Sequence, residues 1–196
     1  MLQQAWNKIK PYKGILLFFV LLFTANALWK LGIEGDESDL HVYLFNHEIS
    51  TPFNFMAKHI AGATHTILSG LGYDVNLEPY NIIRHANGQA IRVVWACSGI
   101  KQSVLFLFIM LLYTGPFVRK LWFIPLGLLV LYIFNIFRIA FITAVVKTHP
   151  DSFYMLHEIV FKYLYYALMF GLWVWWEEKI KHLSLTLSEG EGKSCD

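Results

Sequence analysis

The sequence predicts an all-α polytopic membrane protein of about four transmembrane helices, with interfacial helices and a small outer β-hairpin. Three observations carry this. Of its 196 residues, 56% are hydrophobic and only 15% are charged, a balance that does not suit a soluble surface. The apolar residues fall into four long runs. The charged residues collect between those runs, with Lys and Arg concentrated at alternate ends.

The first run, 14–31, follows Lys8, Lys10 and Lys13 and is 18 residues long, enough to span a hydrocarbon core of roughly 30 Å. Ala25-Asn26-Ala27 resembles a signal-peptide cleavage site, but Leu28 and Trp29 continue the apolar character, so a retained helix is expected. Residues 32–96 carry seven acids against three Lys or Arg and form an extracytoplasmic region. Within it, 39–50 and 53–71 read as interfacial helices, the second from the helical spacing of Phe53, Met56, Ile60, Ala63, Ile67 and Leu71. Over 82–95 the period changes, and Ala86-Asn87-Gly88-Gln89 signals a hairpin with a two-residue turn. Further runs follow at 99–118, 121–146 and 153–176, and the Ser- and Glu-containing tail 184–196 reads as a disordered cytoplasmic segment. Basic residues at the N-terminus, at Arg119-Lys120 and at Lys179-Lys181 place both termini in the cytoplasm and 32–96 outside. Cys97 and Cys195 then lie on opposite sides of the membrane and should not pair.

Cys97 stands where the hairpin region meets the second run. Cys97 is expected in the first turn of that helix, where a thiol sits in the positive end of the helix dipole, and Lys101 adds a cation one turn on, so both favour the thiolate. Ser98 and Gly99 follow it directly. Arg138 lies 17 residues after Leu121, about 26 Å along a rising helix, which brings it to the same outer level. His157 stands about one turn into the last run, again on that level. An arginine inside an apolar run faces the protein interior or a wet cavity by default, because lipid exposure is costly. Asn135, one turn before Arg138, shares its face and is placed to orient the guanidinium. Glu158 adjoins His157, and His149 in the preceding turn is a competing base. Thiolate, imidazole and fixed cation together suit acyl transfer, as nucleophile, proton carrier and oxyanion partner.

Ala96-Cys97-Ser98-Gly99 opening a membrane helix, Asn135-Ile136-Phe137-Arg138-Ile139 in the next, and His157-Glu158 starting the last resemble the exosortase/archaeosortase family of membrane-embedded thiol transpeptidases. The resemblance covers roughly residues 80–176. It implies a triad of Cys97, Arg138 and His157, and substrates that are exported proteins with a C-terminal sorting signal, cleaved outside the membrane through a thioester. An amine, or a lipid or polysaccharide, is then a possible acceptor. Fuller members have around eight spans, so the shorter chain bears on substrate identity more than on chemistry.

Other classes fit less well. A net charge of +2 without a basic stripe excludes a nucleic-acid partner. Both His-Glu pairs, His47-Glu48 and His157-Glu158, lack the second His that would complete a zinc site on one helix face, so no metal or cofactor is expected. A transporter would place polar groups near mid-membrane. The remaining alternative is a non-catalytic scaffold for envelope or exopolysaccharide assembly, in which Cys97 merely packs.

Overall fold

The computed structural model describes residues 12–35 and 41–181, with side chains to 178. The N-terminal lysines 8 and 10, the tail 184–196 and Cys195 lie outside the described residues. Helix α1 (Lys13–Gly32) leads into a small antiparallel sheet of β1 (Ile33–Glu34), β2 (Tyr43–Leu44) and β3 (His47–Glu48). Helix α2 (Ser50–Gly70) follows, then a second antiparallel sheet in the order β4 (Val75–Glu78), β5 (Ile82–His85), β6 (Ala90–Arg92). A 3-10 turn, Trp95–Ser98, precedes α3 (Ile100–Leu112), α4 (Phe117–Val146) and α5 (Ser152–Glu178), the last interrupted by a π turn at Met155–Val160.

Helices α1, α4 and α5 are long and apolar enough to cross a membrane, and α3 is a shorter apolar helix. The molecule is therefore a polytopic, mainly helical membrane protein with short strands. The apolar run 99–118 does not form one continuous span. The chain leaves the helix at Tyr113 in an extended conformation, and Gly115 takes φ +144° ahead of Pro116. Proline disfavours helix in the residue before it, so the run breaks there. Helix α4 consequently begins at Phe117 rather than at 121 and takes in Arg119 and Lys120. Lys120 is buried, and its Nζ donates to the carbonyls of Leu111 and Tyr113, capping the end of α3. The Tyr113 hydroxyl donates to Glu177 (3.0 Å), and the Trp176 indole donates to the Thr114 carbonyl (3.3 Å).

The region 32–96 differs most from the sequence expectation. From residue 41 onward the segment expected as a helix over 39–50 is a hairpin, with Phe45 and Asn46 at φ +45° and +67°. Two consecutive positive φ values make the turn that matches strand twist. The first strand is completed from a distance, by Ile33 against Leu44 and Glu34 against Tyr43. Side chains reinforce it: Ser50 Oγ accepts from the Val42 amide and donates to Glu48, and His41 Nδ1 lies 2.8 Å from the same carboxylate. Those contacts hold Glu48 below its ordinary pKa, the His41 hydrogen bond contributing most.

Helix α2 starts three residues earlier than the expected 53, with Pro52 tolerated in its first turn. Its buried face is Phe53, Ala57, Ile60, Ala61, Thr64 and Leu68, while Ile67 and Leu71 are exposed. The stripe is rotated from the expected one because small residues let α2 approach α4 and the Trp95–Ser98 turn closely. The hairpin expected over 82–95 is present as β5 and β6, with β4 adding a third strand. Its loop has three residues rather than two. His85 N donates to Gln89 O, Gly88 N donates to His85 O, and Gly88 alone carries the positive φ, +91°. That is a turn closed by a left-handed glycine, the next commonest hairpin solution. The sheet is tied to the end of α4 by His85 Nε2 on the Thr143 carbonyl (2.8 Å) and Asn87 Nδ2 on the Lys147 carbonyl (2.7 Å).

Two cores result. One joins α1, α3, α4 and α5 through Phe18, Phe106, Met110, Phe123, Tyr165 and Trp173. The other seals α2 and the second sheet onto α4, and Cys97 belongs to it with Ile60, Val93 and Ile139.

Candidate active site

Cys97 is held by the backbone around it. Its amide donates to the Val94 carbonyl within the 3-10 turn, and Gly99 then turns the chain into α3 at φ +76°, ψ 0°. Cys97 therefore sits just before the helix rather than in its first turn, with Gly99 as the N-cap. A Cβ at Gly99 would also lie 2.9 Å from Asn135 Nδ2, so position 99 needs glycine for both conformation and space. Asn135 is buried and donates through Nδ2 to the Cys97 carbonyl (2.8 Å). It thus anchors the cysteine turn to α4, and its amide is not spent on Arg138. Ser98 Oγ accepts from the Ile100 amide (3.3 Å), tightening the same turn.

The Cys97 Sγ lies 3.6 Å from His157 Nε2, and His157 Nδ1 lies 2.8 Å from Glu158 Oε1. A thiol, an imidazole and a carboxylate are thereby connected in series, the arrangement by which a base is oriented toward a nucleophile. His157 and Glu158 share the π turn, a device frequent at functional sites. Phe153, one turn earlier, stacks on the imidazole at 5.3 Å between ring centroids. Cys97 is 6% exposed and packs within the core that seals α2 and the second sheet onto α4. His149 is set apart from this arrangement, against Thr148 Oγ1 (2.8 Å).

Arg138 is 5% exposed and has neither a hydrogen bond nor a carboxylate partner among the described residues. Its guanidinium lies over the Tyr165 ring, 5.8 Å from the centroid. It borders a cavity of about 200 Å³ that Lys101, His157, Glu158, Lys162 and Tyr165 also line, with Trp29, Phe53 and Trp95 as aromatic walls. Cys97 lines a neighbouring narrow cleft with Ile91, Val93, Ile139, Ile142 and Phe153. His157 lines both, so the imidazole stands between the thiol and the cationic cavity.

The expected residues Cys97, His157, Glu158, Asn135, Ser98 and Gly99 meet at one end of the bundle, and Arg138 and Lys101 border the adjoining cavity. Sequence reasoning missed Lys162, Tyr165 and Phe153. Lys162 had a usable signal, standing four residues after Glu158 on one helix face. Among the described residues no group of three or more His, Cys, Asp or Glu side chains is arranged to hold a metal ion.

No curated protein and no solved structure matches the chain. A family model for the transmembrane exosortase (Exosortase_EpsH) matches residues 40–175, well over half of the length and inclusive of Cys97, Asn135, Arg138, His157 and Glu158. The chain belongs to the transmembrane exosortase family.

Proposed function

We propose that this protein is a thiol peptidase or transpeptidase of the cytoplasmic membrane, cleaving C-terminal sorting signals of exported proteins at the outer face, with both termini cytoplasmic. The observation that carries the reading is the 3.6 Å contact between Cys97 Sγ and His157 Nε2, with Glu158 on the far ring nitrogen. His157 takes the thiol proton, and the Cys97 sulfur bonds to the scissile carbonyl carbon. The carbonyl electrons move to oxygen, whose negative charge Arg138 stabilises. His157 returns the proton to the leaving amine as the C–N bond breaks, leaving a thioester on Cys97. An amine acceptor, on a lipid or polysaccharide for instance, or water then attacks the thioester carbon with its proton passing to His157; the C–S bond breaks, the acyl group leaves on the acceptor, and His157 returns the proton to the Cys97 sulfur.

The test is the set of C-terminal masses of exported membrane-anchored proteins from cells carrying the native chain or Cys97→Ala. Shortened C-termini should disappear in Cys97→Ala, and unchanged processing would overturn the mechanism. The packing of Cys97 among Ile60, Val93 and Ile139 favours a second reading, a non-catalytic scaffold for envelope or exopolysaccharide assembly. Under it, Cys97 would resist an impermeant alkylating reagent at mildly acidic pH.

A further inference from the structure

Two spaces meet at His157, and they differ in size. The cavity that Arg138 borders holds about 200 Å³, whereas the cleft that Cys97 lines holds about 10 Å³. A space of about 10–15 Å³ seats one water molecule, so a methyl or hydroxyl group is enough to fill the cleft. Its walls are fixed by packing. Ile91 in β6, Val93 just after it, and Ile139 and Ile142 of α4 are all buried, and they belong to two packed clusters. All four are β-branched, so rotation about Cα–Cβ is restricted and offers little extra room. Phe153, a fifth wall, is stacked on His157. Arg92, which is exposed, completes the lining together with Cys97 and His157.

Which part of a substrate meets this cleft follows from the acyl-transfer reading, on which the inference rests. In the tetrahedral intermediate, the carbon bonded to Cys97 Sγ carries three other atoms: the oxyanion, the leaving nitrogen and the α-carbon of the acyl residue. The oxyanion lies toward Arg138, on the cavity side, and the nitrogen lies toward His157, which protonates it. The α-carbon takes the remaining direction, into the cleft that the sulfur lines. We infer that the residue whose carbonyl Cys97 takes up is glycine, alanine or serine, with Ile91, Val93, Ile139 and Ile142 setting the limit. A larger side chain has to displace buried walls, and overfilling a packed site is unfavourable even by a methylene or two.

The experiment measures acylation of Cys97 in the full-length Cys195→Ala protein, read by peptide mass, with the p-nitrophenyl esters of N-acetylalanine and N-acetylleucine. Each rate is divided by the rate of the same ester with glutathione, which removes the intrinsic difference between the esters. The corrected ratio should favour alanine about tenfold or more. Ile142→Ala opens a wall and should reduce that preference severalfold, and Val93→Ala serves if Ile142→Ala fails to fold. Acylation without a preference, or a preference that the wall variant leaves unchanged, would overturn the size limit and leave the acyl-transfer reading standing. Acylation by neither ester would remove that reading and this inference with it. In cells, the shortened C-termini that depend on Cys97 should end in glycine, alanine or serine. Termini that end in a larger residue would overturn the size limit alone.

Discussion

At the scale of single residues, the chemistry turns on how Cys97 meets His157. The ring nitrogen at 3.6 Å can accept the thiol proton, and Glu158 at 2.8 Å from the other nitrogen fixes the ring's orientation. Alkylation by iodoacetamide reads this pair directly, because the thiolate is the reacting form. With His157→Ala, the rate at Cys97 near pH 6 should fall about tenfold or more. With Glu158→Gln it should fall severalfold, since an amide supports the ring less well than a carboxylate. A rate indifferent to both changes would mean that the contact plays no part in activating the sulfur. Gly99 makes a second test. An alanine there meets a left-handed φ of +76° and Asn135 Nδ2 at 2.9 Å, so Gly99→Ala should cost about 1–3 kcal/mol in thermal unfolding. It should also displace Cys97, whose carbonyl Asn135 holds, and slow the alkylation.

At the scale of elements, close approach decides which helices touch. A Cβ at Gly127 of α4 would lie 2.3 Å from the Phe106 ring of α3, so these helices meet only because position 127 has no side chain. Gly127→Leu should therefore destabilise the protein by about 2 kcal/mol or more, and a shortened partner, Phe106→Ala, should recover part of the loss in the double variant. In the second sheet, Arg84 Nε and Nη2 contact the Glu78 carboxylate at 2.6 and 3.1 Å. That hydrogen bond is the main cause holding Glu78 below its ordinary pKa of 4.5. A lowered carboxyl pKa means the pair's contribution is full above about 4.5 and is lost as the pH falls through the folded-state value. Carboxyl NMR titration should show Glu78 returning to the ordinary glutamate range in Arg84→Ala. The long helices were legible in the sequence because hydropathy alone specifies them. The hairpin over 41–48 was not, since its pairing partner Ile33-Glu34 lies across a gap in sequence that local periodicity does not see. The length of α3 depended on Gly115 and Pro116, whose breaking power outweighed the apolar run around them.

At the scale of the whole molecule, the four runs become three crossing-length helices and a 13-residue α3, roughly 20 Å long at 1.5 Å per residue. Counting residues along each run was enough to bring Cys97, Arg138 and His157 to one level, because rise per residue converts sequence position into depth. It could not reveal that Asn135 reaches the Cys97 carbonyl, or that Cys97 and Arg138 border different spaces with His157 between them. Those depend on rotation about helix axes, which packing sets. The proposed orientation across the bilayer, argued from the placement of basic residues, is checked with single cysteines placed in a Cys97→Ala/Cys195→Ala chain in spheroplasts. Ala86 is exposed in the hairpin loop at the site end, Leu129 is an outward apolar residue midway along α4, and Arg119 is at the opposite end of that helix. An impermeant maleimide should label Ala86→Cys on intact spheroplasts, label Arg119→Cys only after permeabilisation, and leave Leu129→Cys unlabelled because lipid surrounds it. Labelling of position 119 on intact spheroplasts, with position 86 protected, would invert the topology. The thiol would then face the cytoplasm, where no exported protein's tail could reach it.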